Sequence, residues 1–223
     1  MILLHFGLQR SGTNYLEALF KRMYGQRFSN SNADRKSPLQ KHFRLYDNKD
    51  MVPEPQYRND IVITSFSQFE GLYAARPDFY LVISKDPYSW YLSYTAWAKK
   101  CNWPPPRHHY IEEYNLFYGK FLELAAQTEK ILFVRYVDLL RDREVTLTGL
   151  ERRMGLTRKP RHFLISRAFS RVPQSTKFSD EQRDYYLKKN YLGMLSRENL
   201  NQLNARLDPR VIELLGYEIA DGG

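Results

Sequence analysis

The chain has 223 residues, of which 34 are Lys or Arg and 25 are Asp or Glu, so its net charge is +9. This length suits one α/β domain, and we expect residues 1–223 to form a single unit. The content of 43% hydrophobic residues excludes a disordered chain, and the single cysteine excludes a disulfide framework. No apolar run approaches the roughly 20 residues of a membrane span, which excludes a membrane-spanning protein.

The positive charge indicates an anionic partner, which the composition leaves open as nucleic acid, a membrane surface or a small polyanion. Because the basic residues are scattered rather than clustered in a run, a focused anion pocket is favoured over nucleic acid and a membrane surface. A solvated basic face without a partner is the alternative. The amino terminus lacks the basic flank of a signal peptide, so we expect a cytosolic protein without a membrane partner. Cys101 has no obvious partner and is interpreted as structural or incidental.

The first half of the chain predicts strands separated by helices. Residues 2–6 form an apolar strand, and the apolar positions from Thr13 to Met23 share one helical face that ends before Gly25. Residues 26–59 are polar and predict a long loop with one short element near Lys41–Leu45. Asp60–Phe66 predicts a buried strand, Ser67–Arg76 a helix, and Phe79–Ile83 another buried strand.

The second half continues the alternation. Pro87 starts a helix to about Lys100, which Cys101–Arg107 interrupts. A helix over Tyr110–Thr128, a strand over Ile131–Val134 and a mostly helical Val137–Met154 follow, and the last helices are predicted at Asp180–Leu207 and Pro209–Leu215. This pattern predicts a three-layer α/β fold with a mostly parallel sheet and helices on both faces.

The turn between the first strand and the first helix has the sequence Gly7-Leu8-Gln9-Arg10-Ser11-Gly12-Thr13-Asn14. Its glycine spacing is that of a phosphate-binding loop, which surrounds an anion with backbone N–H groups at a helix amino terminus. A nucleoside-triphosphate loop continues with Lys and Ser or Thr, whereas this chain has Thr13 and Asn14 at those positions and a cation, Arg10, inside the loop. A tight turn without a ligand is the alternative.

A second motif follows the Phe79–Ile83 strand. Lys85 lies at the carboxyl end of that strand, Pro87 begins the next helix, and Ser93 lies eight residues after Lys85. A cation and a hydroxyl in this arrangement can converge on one phosphate at the edge of the sheet where α/β proteins bind ligands. A proline-started helix with a surface lysine is the alternative.

The loop motif Gln9 to Tyr15 resembles the 5′-phosphosulfate loop of sulfotransferases, and Lys85-x-Pro87 with Ser93 resembles their 3′-phosphate motif, although that motif commonly has Arg in place of Lys85. The resemblance implies a P-loop NTPase-like sulfotransferase fold and 3′-phosphoadenosine 5′-phosphosulfate (PAPS) as donor, with the desulfated product PAP and no metal. It further implies that Gln9, Arg10, Ser11, Gly12, Thr13 and Asn14 hold the 5′-phosphosulfate and that Lys85 and Ser93 hold the 3′-phosphate.

Transfer to an acceptor hydroxyl, or as a lesser alternative an amine, requires a base and cations near the leaving oxygen. In relatives, the base often lies on the segment after the first helix, which here is Gln40-Lys41-His42-Phe43. We predict His42 as the base and Lys41, with Arg10, as the cations. Glu70 and Glu17 are the reserve bases.

The remaining candidates concern the acceptor and a lid. Trp103, in a loop with three prolines, is the aromatic candidate for contact with a small-molecule or carbohydrate acceptor, whereas Trp90 and Trp97 are expected to pack inside. His108-His109 is interpreted as the start of a helix. By resemblance, Arg171, Ser175 and Lys177 are candidates for a basic lid over the donor, and a solvated basic loop is the alternative.

Two other functions stay open from the sequence. A P-loop kinase of a nucleoside or metabolite is opposed by the missing Gly-Lys-Ser/Thr sequence. A basic nucleic-acid-binding module offers no reason for two phosphate motifs at this spacing. The sequence predicts neither the acceptor nor the oligomeric state.

Overall fold

A computed structural model describes residues 1–52, 55–159 and 178–221. Within these ranges the chain forms a parallel sheet of three strands, in the spatial order β1-β2-β3. The strands are β1 (Leu3–Phe6), β2 (Phe79–Ser84) and β3 (Ile131–Arg135). The helices are α1 (Thr13–Tyr24), α2 (Phe66–Gly71), α3 (Pro87–Lys100), α4 (Tyr110–Ala125), α5 (Tyr136–Arg141), α6 (Arg143–Met154), α7 (Asp180–Leu187), α8 (Arg197–Asn204) and α9 (Pro209–Leu214), with 3-10 turns at Pro55–Tyr57 and Asn190–Met194.

Both faces of the sheet are covered, because successive side chains of a strand point to opposite faces. On β2, Tyr80 and Val82 pack against α2, α4 and the carboxyl-terminal helices. Leu81 and Ile83 pack on the other face, against α1, α5 and α6. The predicted α/β arrangement in three layers, with a parallel sheet between helices, is therefore confirmed.

The predicted strand over Asp60–Phe66 is wrong. Residues 60–64 belong to no regular element and pair with no strand within the described ranges, and the Ile63 N–H donates a hydrogen bond to the Leu45 carbonyl instead. Ile63 is buried, whereas Val62 is exposed, so apolar content alone mimicked the signature of a central strand. Ser65 then begins α2 by accepting a hydrogen bond from the Gln68 N–H.

Two stretches that the sequence predicts as helical are each divided into shorter elements in the structure. Asp142 caps α6 directly after α5 and divides the helical stretch at residues 137–154. The stretch at residues 180–207 divides into α7, a 3-10 turn and α8, because Lys189 adopts a left-handed conformation and Ser196 caps a new helix. Within the described ranges, no helix combines the length and the apolar character that crossing a bilayer requires.

The segment after α1 is ordered by buried polar side chains rather than by regular structure. Asn30 lies beside β1, where its side chain accepts a hydrogen bond from the His5 N–H and donates one of 2.7 Å to the His5 carbonyl. The Ser29 N–H donates to the Leu3 carbonyl at 2.8 Å. Farther along, buried Asn48 bonds to Tyr57 and Asn59. This segment therefore follows the free edge of β1 and then crosses the end of the sheet.

Candidate active site

The carboxyl ends of all three parallel strands meet at one edge, and the glycine loop after β1 lies there. A side chain on Gly7 would place its Cβ 2.5 Å from Ser11 Oγ and 2.8 Å from the Ile83 carbonyl oxygen. Gly12 has a φ of +107°, and a Cβ there would lie 2.6 Å from the Tyr136 ring. Both glycines are thus required, the first by a close approach and the second also by its backbone conformation.

The loop leaves donors free at the start of α1. Gly12 caps the helix without any side-chain hydrogen bond, and the first turn contains no acidic residue. The first-turn N–H groups have no acceptor within the helix, so an anion can bind there, favoured by the helix dipole. Ser11 and Thr13 are buried beside these groups, and Asn14 is exposed on the first turn.

Arg10 extends from the loop into solvent. Its φ of +70° is left-handed, which is rare outside glycine, and its guanidinium carbon lies 5.0 Å from the centre of the Trp97 ring. Lys100 lies 5.6 Å from the same ring. The expectation that Trp97 packs inside is therefore incomplete, because the half-buried ring also supports Arg10 at the rim of the site.

The second motif comes together as the sequence predicts. Lys85 Nζ donates a hydrogen bond of 2.8 Å to Ser93 Oγ, and the rings of Tyr186 and Tyr136 lie 4.7 and 5.6 Å from Nζ. Lys85 is buried and has no carboxylate within ion-pair distance among the described residues. Burial, reinforced by the charge of Arg10, lowers the pKa of Lys85 from 10.5 to about 7.

Tyr136 links the two motifs, because its ring contacts both the position of Gly12 and the Lys85 ammonium group. A cavity of about 230 Å³ opens beside them. Its walls carry the cations Lys85, Arg135, Arg141 and Lys189 against the carboxylates Asp86 and Glu218. Arg135 and Arg141 are paired with Asp138, and Lys189 with Glu218. The buried Lys85 and the aromatic walls therefore suit the cavity to an anion that carries a ring.

The predicted catalytic segment contacts the loop directly. The Gly7 N–H donates to the Lys41 carbonyl at 3.0 Å, and His42 Nδ1 donates to the Gly7 carbonyl at 2.6 Å. The bond from Nδ1 leaves Nε2 as the acceptor of the neutral ring. Burial lowers the pKa of His42 to about 3, and the charges of Arg44 and Lys41 act in the same direction against the Gly7 bond. His42 as the base stays a prediction.

Lys41 is held at the start of α1, where Nζ donates hydrogen bonds of 2.7 Å to Asn14 and 2.8 Å to Glu17. Glu17 also lies 3.0 Å from His5 Nε2. Burial raises the pKa of the Glu17 carboxyl, but the hydrogen bonds from His5 and Lys41 outweigh burial and lower this pKa to about 2. Glu17 therefore orients Lys41 and is a poor proton acceptor.

Glu70 is wrong as the reserve base. Its carboxylate lies 2.6 Å from Lys130 Nζ, and Lys130 directly precedes β3. In a parallel sheet this is the amino-terminal edge, opposite the glycine loop. No rotation of its side chain brings Glu70 to the site, because the strands separate the two edges.

The other candidates divide between packing and open questions. Trp90 is fully buried, as expected, and its Nε1 donates a hydrogen bond of 2.9 Å to the Gln9 carbonyl. Trp103 packs edge-on against Tyr94 and stays a prediction for acceptor contact. The interpretation of His108-His109 as a helix start is confirmed, since His109 caps α4. Arg171, Ser175 and Lys177 lie outside the described residues.

Sequence reasoning missed a buried ion pair beneath the site. Arg44 is fully buried. Its Nε donates a hydrogen bond of 2.9 Å to Glu113 Oε1, and its Nη2 donates one of 2.8 Å to Gln9 Oε1. One signal was available, because Glu113 shares a helical face with the apolar Phe117 and Phe121 of α4. A carboxylate on a buried stripe requires a partner, which would have drawn attention to a cation outside the helix.

Comparison with known proteins supports the fold. No family model matches the chain, and no curated protein matches it. Among solved structures, it is similar to the "Sulfotransferase Domain from the Curacin Biosynthetic Pathway", with 13% sequence identity, a TM-score of 0.50 and coverage of 98% of each chain. A similarity at this identity concerns the fold alone, so the chain has a sulfotransferase-like fold.

Proposed function

We propose that the protein is a sulfotransferase that moves a sulfuryl group from PAPS to an acceptor hydroxyl. The observation that carries this proposal is the environment of Lys85. Its ammonium group is buried, donates a hydrogen bond to Ser93, and has no carboxylate within ion-pair distance among the described residues. It lies within electrostatic reach of Arg10 in the glycine loop. Two cations that repel each other at the edge of a sheet are stabilised by an anion between them.

The residues fit a donor with two separate anionic ends. The free N–H groups at the start of α1 and the Ser11 and Thr13 hydroxyls would hold the 5′-phosphosulfate. Lys85 and Ser93 would hold the 3′-phosphate, and Tyr136 lies between these two positions. The likeness to a solved sulfotransferase domain supports the same assignment at the level of the fold.

In the transfer, a bond forms between the acceptor oxygen and sulfur while the bond from sulfur to the phosphate oxygen breaks. Arg10, together with Lys41 at the start of α1, would stabilise the charge that develops on the departing phosphate oxygen. The acceptor proton would pass to His42 Nε2. Because the pKa of His42 is lowered to about 3, this proton transfer comes late, once bonding to sulfur has made the acceptor oxygen acidic.

The observations favour this function over the two rivals. A kinase loop would place a lysine at Thr13, whereas the cations of this site are Arg10 and Lys85. A nucleic-acid interface would present its cations on an open face, whereas Lys85 is buried. The carbohydrate or small-metabolite acceptor and the cytosolic location remain predictions.

Calorimetric titration with PAP, and with ATP as control, tests the donor site. Tight PAP binding, weak ATP binding and loss of PAP binding in Arg10→Ala and Lys85→Ala would support the proposal. Binding of ATP that requires magnesium, with no binding of PAP, would overturn it in favour of a kinase. Equal PAP affinity of both variants and the unaltered protein would show that the site residues are wrong.

A further inference from the structure

The Arg44 guanidinium joins three parts of the protein that are far apart in sequence. Nη2 donates a hydrogen bond of 2.8 Å to Gln9 Oε1 in the glycine loop, and Nη1 donates one of 2.5 Å to the His42 carbonyl. Nε donates 2.9 Å to Glu113 on α4. Five N–H donors in a rigid plane make arginine suited to such a junction, and lysine cannot replace it.

Glu113 is itself held by α3 and by the segment after α1. The Tyr94 hydroxyl donates a hydrogen bond of 3.2 Å to Glu113 Oε2, and the Tyr46 hydroxyl donates one of 3.3 Å to the Glu113 carbonyl. Arg44 therefore has an anchor in Glu113, which accepts hydrogen bonds from both Nε and Nη2. A group anchored in this way can hold the position of its other partners.

The partners of Arg44 are the elements that build the proposed donor site. Gln9 is held at both ends, its backbone carbonyl by Trp90 Nε1 at 2.9 Å and its side-chain oxygen by Arg44. Both backbone groups of Gly7 are bound by Lys41 and His42, and the carbonyl of His42 is bound by Arg44. The glycine loop and residues 40–44 thus form one hydrogen-bonded unit.

We infer that Arg44 is a positioning residue that holds the glycine loop and the His42 segment in one geometry, so that the loop is preorganised for its anion. This inference rests on the proposed function for its consequence in donor binding, but the order of the loop can be measured without any ligand. Stability alone is a weak explanation, because a buried ion pair costs desolvation and can often be replaced by apolar residues without loss.

That property separates positioning from stability in an experiment. Arg44→Met combined with Glu113→Leu removes both charges and leaves no unpaired buried charge, so we expect the variant to fold, with a loss of stability limited to the hydrogen bonds at the His42 carbonyl and Gln9 Oε1. The matched control is Lys130→Met with Glu70→Leu, which removes an ion pair at the opposite edge of the sheet. Arg44→Lys is a second variant that keeps the charge beside Glu113 but lacks the planar fork.

Two measurements are compared in each variant: amide hydrogen exchange of the peptide covering residues 5–14, and the affinity for PAP. In the Arg44→Met/Glu113→Leu variant we expect exchange in this peptide to accelerate at least about tenfold while the peptide over β3 is unchanged. The Kd for PAP should rise about tenfold, equivalent to about 1.4 kcal/mol. The Lys130→Met/Glu70→Leu control should change neither.

Each outcome decides the inference. Unchanged exchange in residues 5–14 of a folded variant overturns positioning by Arg44, whatever the affinity for PAP. Accelerated exchange with weaker PAP binding supports it. Accelerated exchange in a protein that does not bind PAP even when unaltered supports the positioning role and refutes the proposed function. If the double variant does not fold, Arg44→Lys must show the faster loop exchange, or the inference fails.

Discussion

The buried charge of Lys85 destabilises the protein when no ligand is bound, so removing this charge should stabilise the fold and weaken donor binding. The pKa of Lys85 is lowered from 10.5 to about 7, mainly by burial. At about 1.4 kcal/mol for each pH unit, the protonated side chain costs up to about 5 kcal/mol of the free energy of unfolding, and about 4 kcal/mol at pH 7. Lys85→Met keeps the apolar stem and removes this cost.

The pH dependence follows from the direction of the shift. Between pH 7 and 10.5 the folded protein releases the Lys85 proton before the unfolded chain does, so the stability of the unaltered protein rises relative to Lys85→Met. Thermal melts should therefore show Lys85→Met more stable by roughly 10 °C at pH 7, with the difference vanishing near pH 10. Lys120→Met, which removes a lysine paired with Glu123 on α4, should give no such gain.

The same variant should lose PAP binding by roughly 10- to 150-fold, because a hydrogen bond to a charged group contributes about 1.5–3 kcal/mol. Lower stability of Lys85→Met than of the unaltered protein at pH 7, or a difference that does not depend on pH, would contradict this prediction. Either result would mean that the Lys85 ammonium has a stabilising partner in the absence of a ligand.

Three further predictions address the loop, the 3′-phosphate and the base. Gly12→Ala should lower the melting temperature by about 5–10 °C and abolish PAP binding, because of the φ of +107° and the Tyr136 ring, whereas Gly149→Ala on α6, with nothing within 4 Å, should cost neither. Ser93→Ala should weaken PAP binding about 3- to 10-fold. It should leave the binding of adenosine 5′-phosphosulfate unchanged, because this compound lacks the 3′-phosphate. Nitrogen-15 NMR should show His42 neutral and protonated at Nδ1 down to pH 5, and a titration midpoint near 6.5 would contradict its burial against Gly7.

The elements that the sequence predicted well have local causes. The glycine spacing that marks the loop is required by contacts at Gly7 and Gly12, and Pro87 starts α3 where Asp86 caps it. The predicted convergence of Lys85 and Ser93 holds because one lies at a strand end and the other two turns into the next helix. Such features depend on short stretches of chain, so a motif can show them.

The failures have causes that a local pattern does not contain. Asp60–Phe66 has strand composition, but strand formation needs a partner, and the Ile63 N–H finds only the Leu45 carbonyl. Glu70 follows an apolar run like a site residue but lies at the opposite edge of the sheet, which depends on chain direction. Arg44 and Glu113 are 69 residues apart, so their ion pair arises only from the tertiary fold.

Asn30 has a consequence for the behaviour of the protein in concentrated solution. β1 is an edge strand, and unpaired backbone groups along such an edge invite another chain to add a strand. The Asn30 amide occupies the N–H and the carbonyl of His5 at once, as a neighbouring strand would, and Ser29 occupies the carbonyl of Leu3. The two residues therefore occupy backbone groups that a strand of another molecule would need, so the segment that contributes to the candidate site also blocks strand addition at this edge of the described sheet.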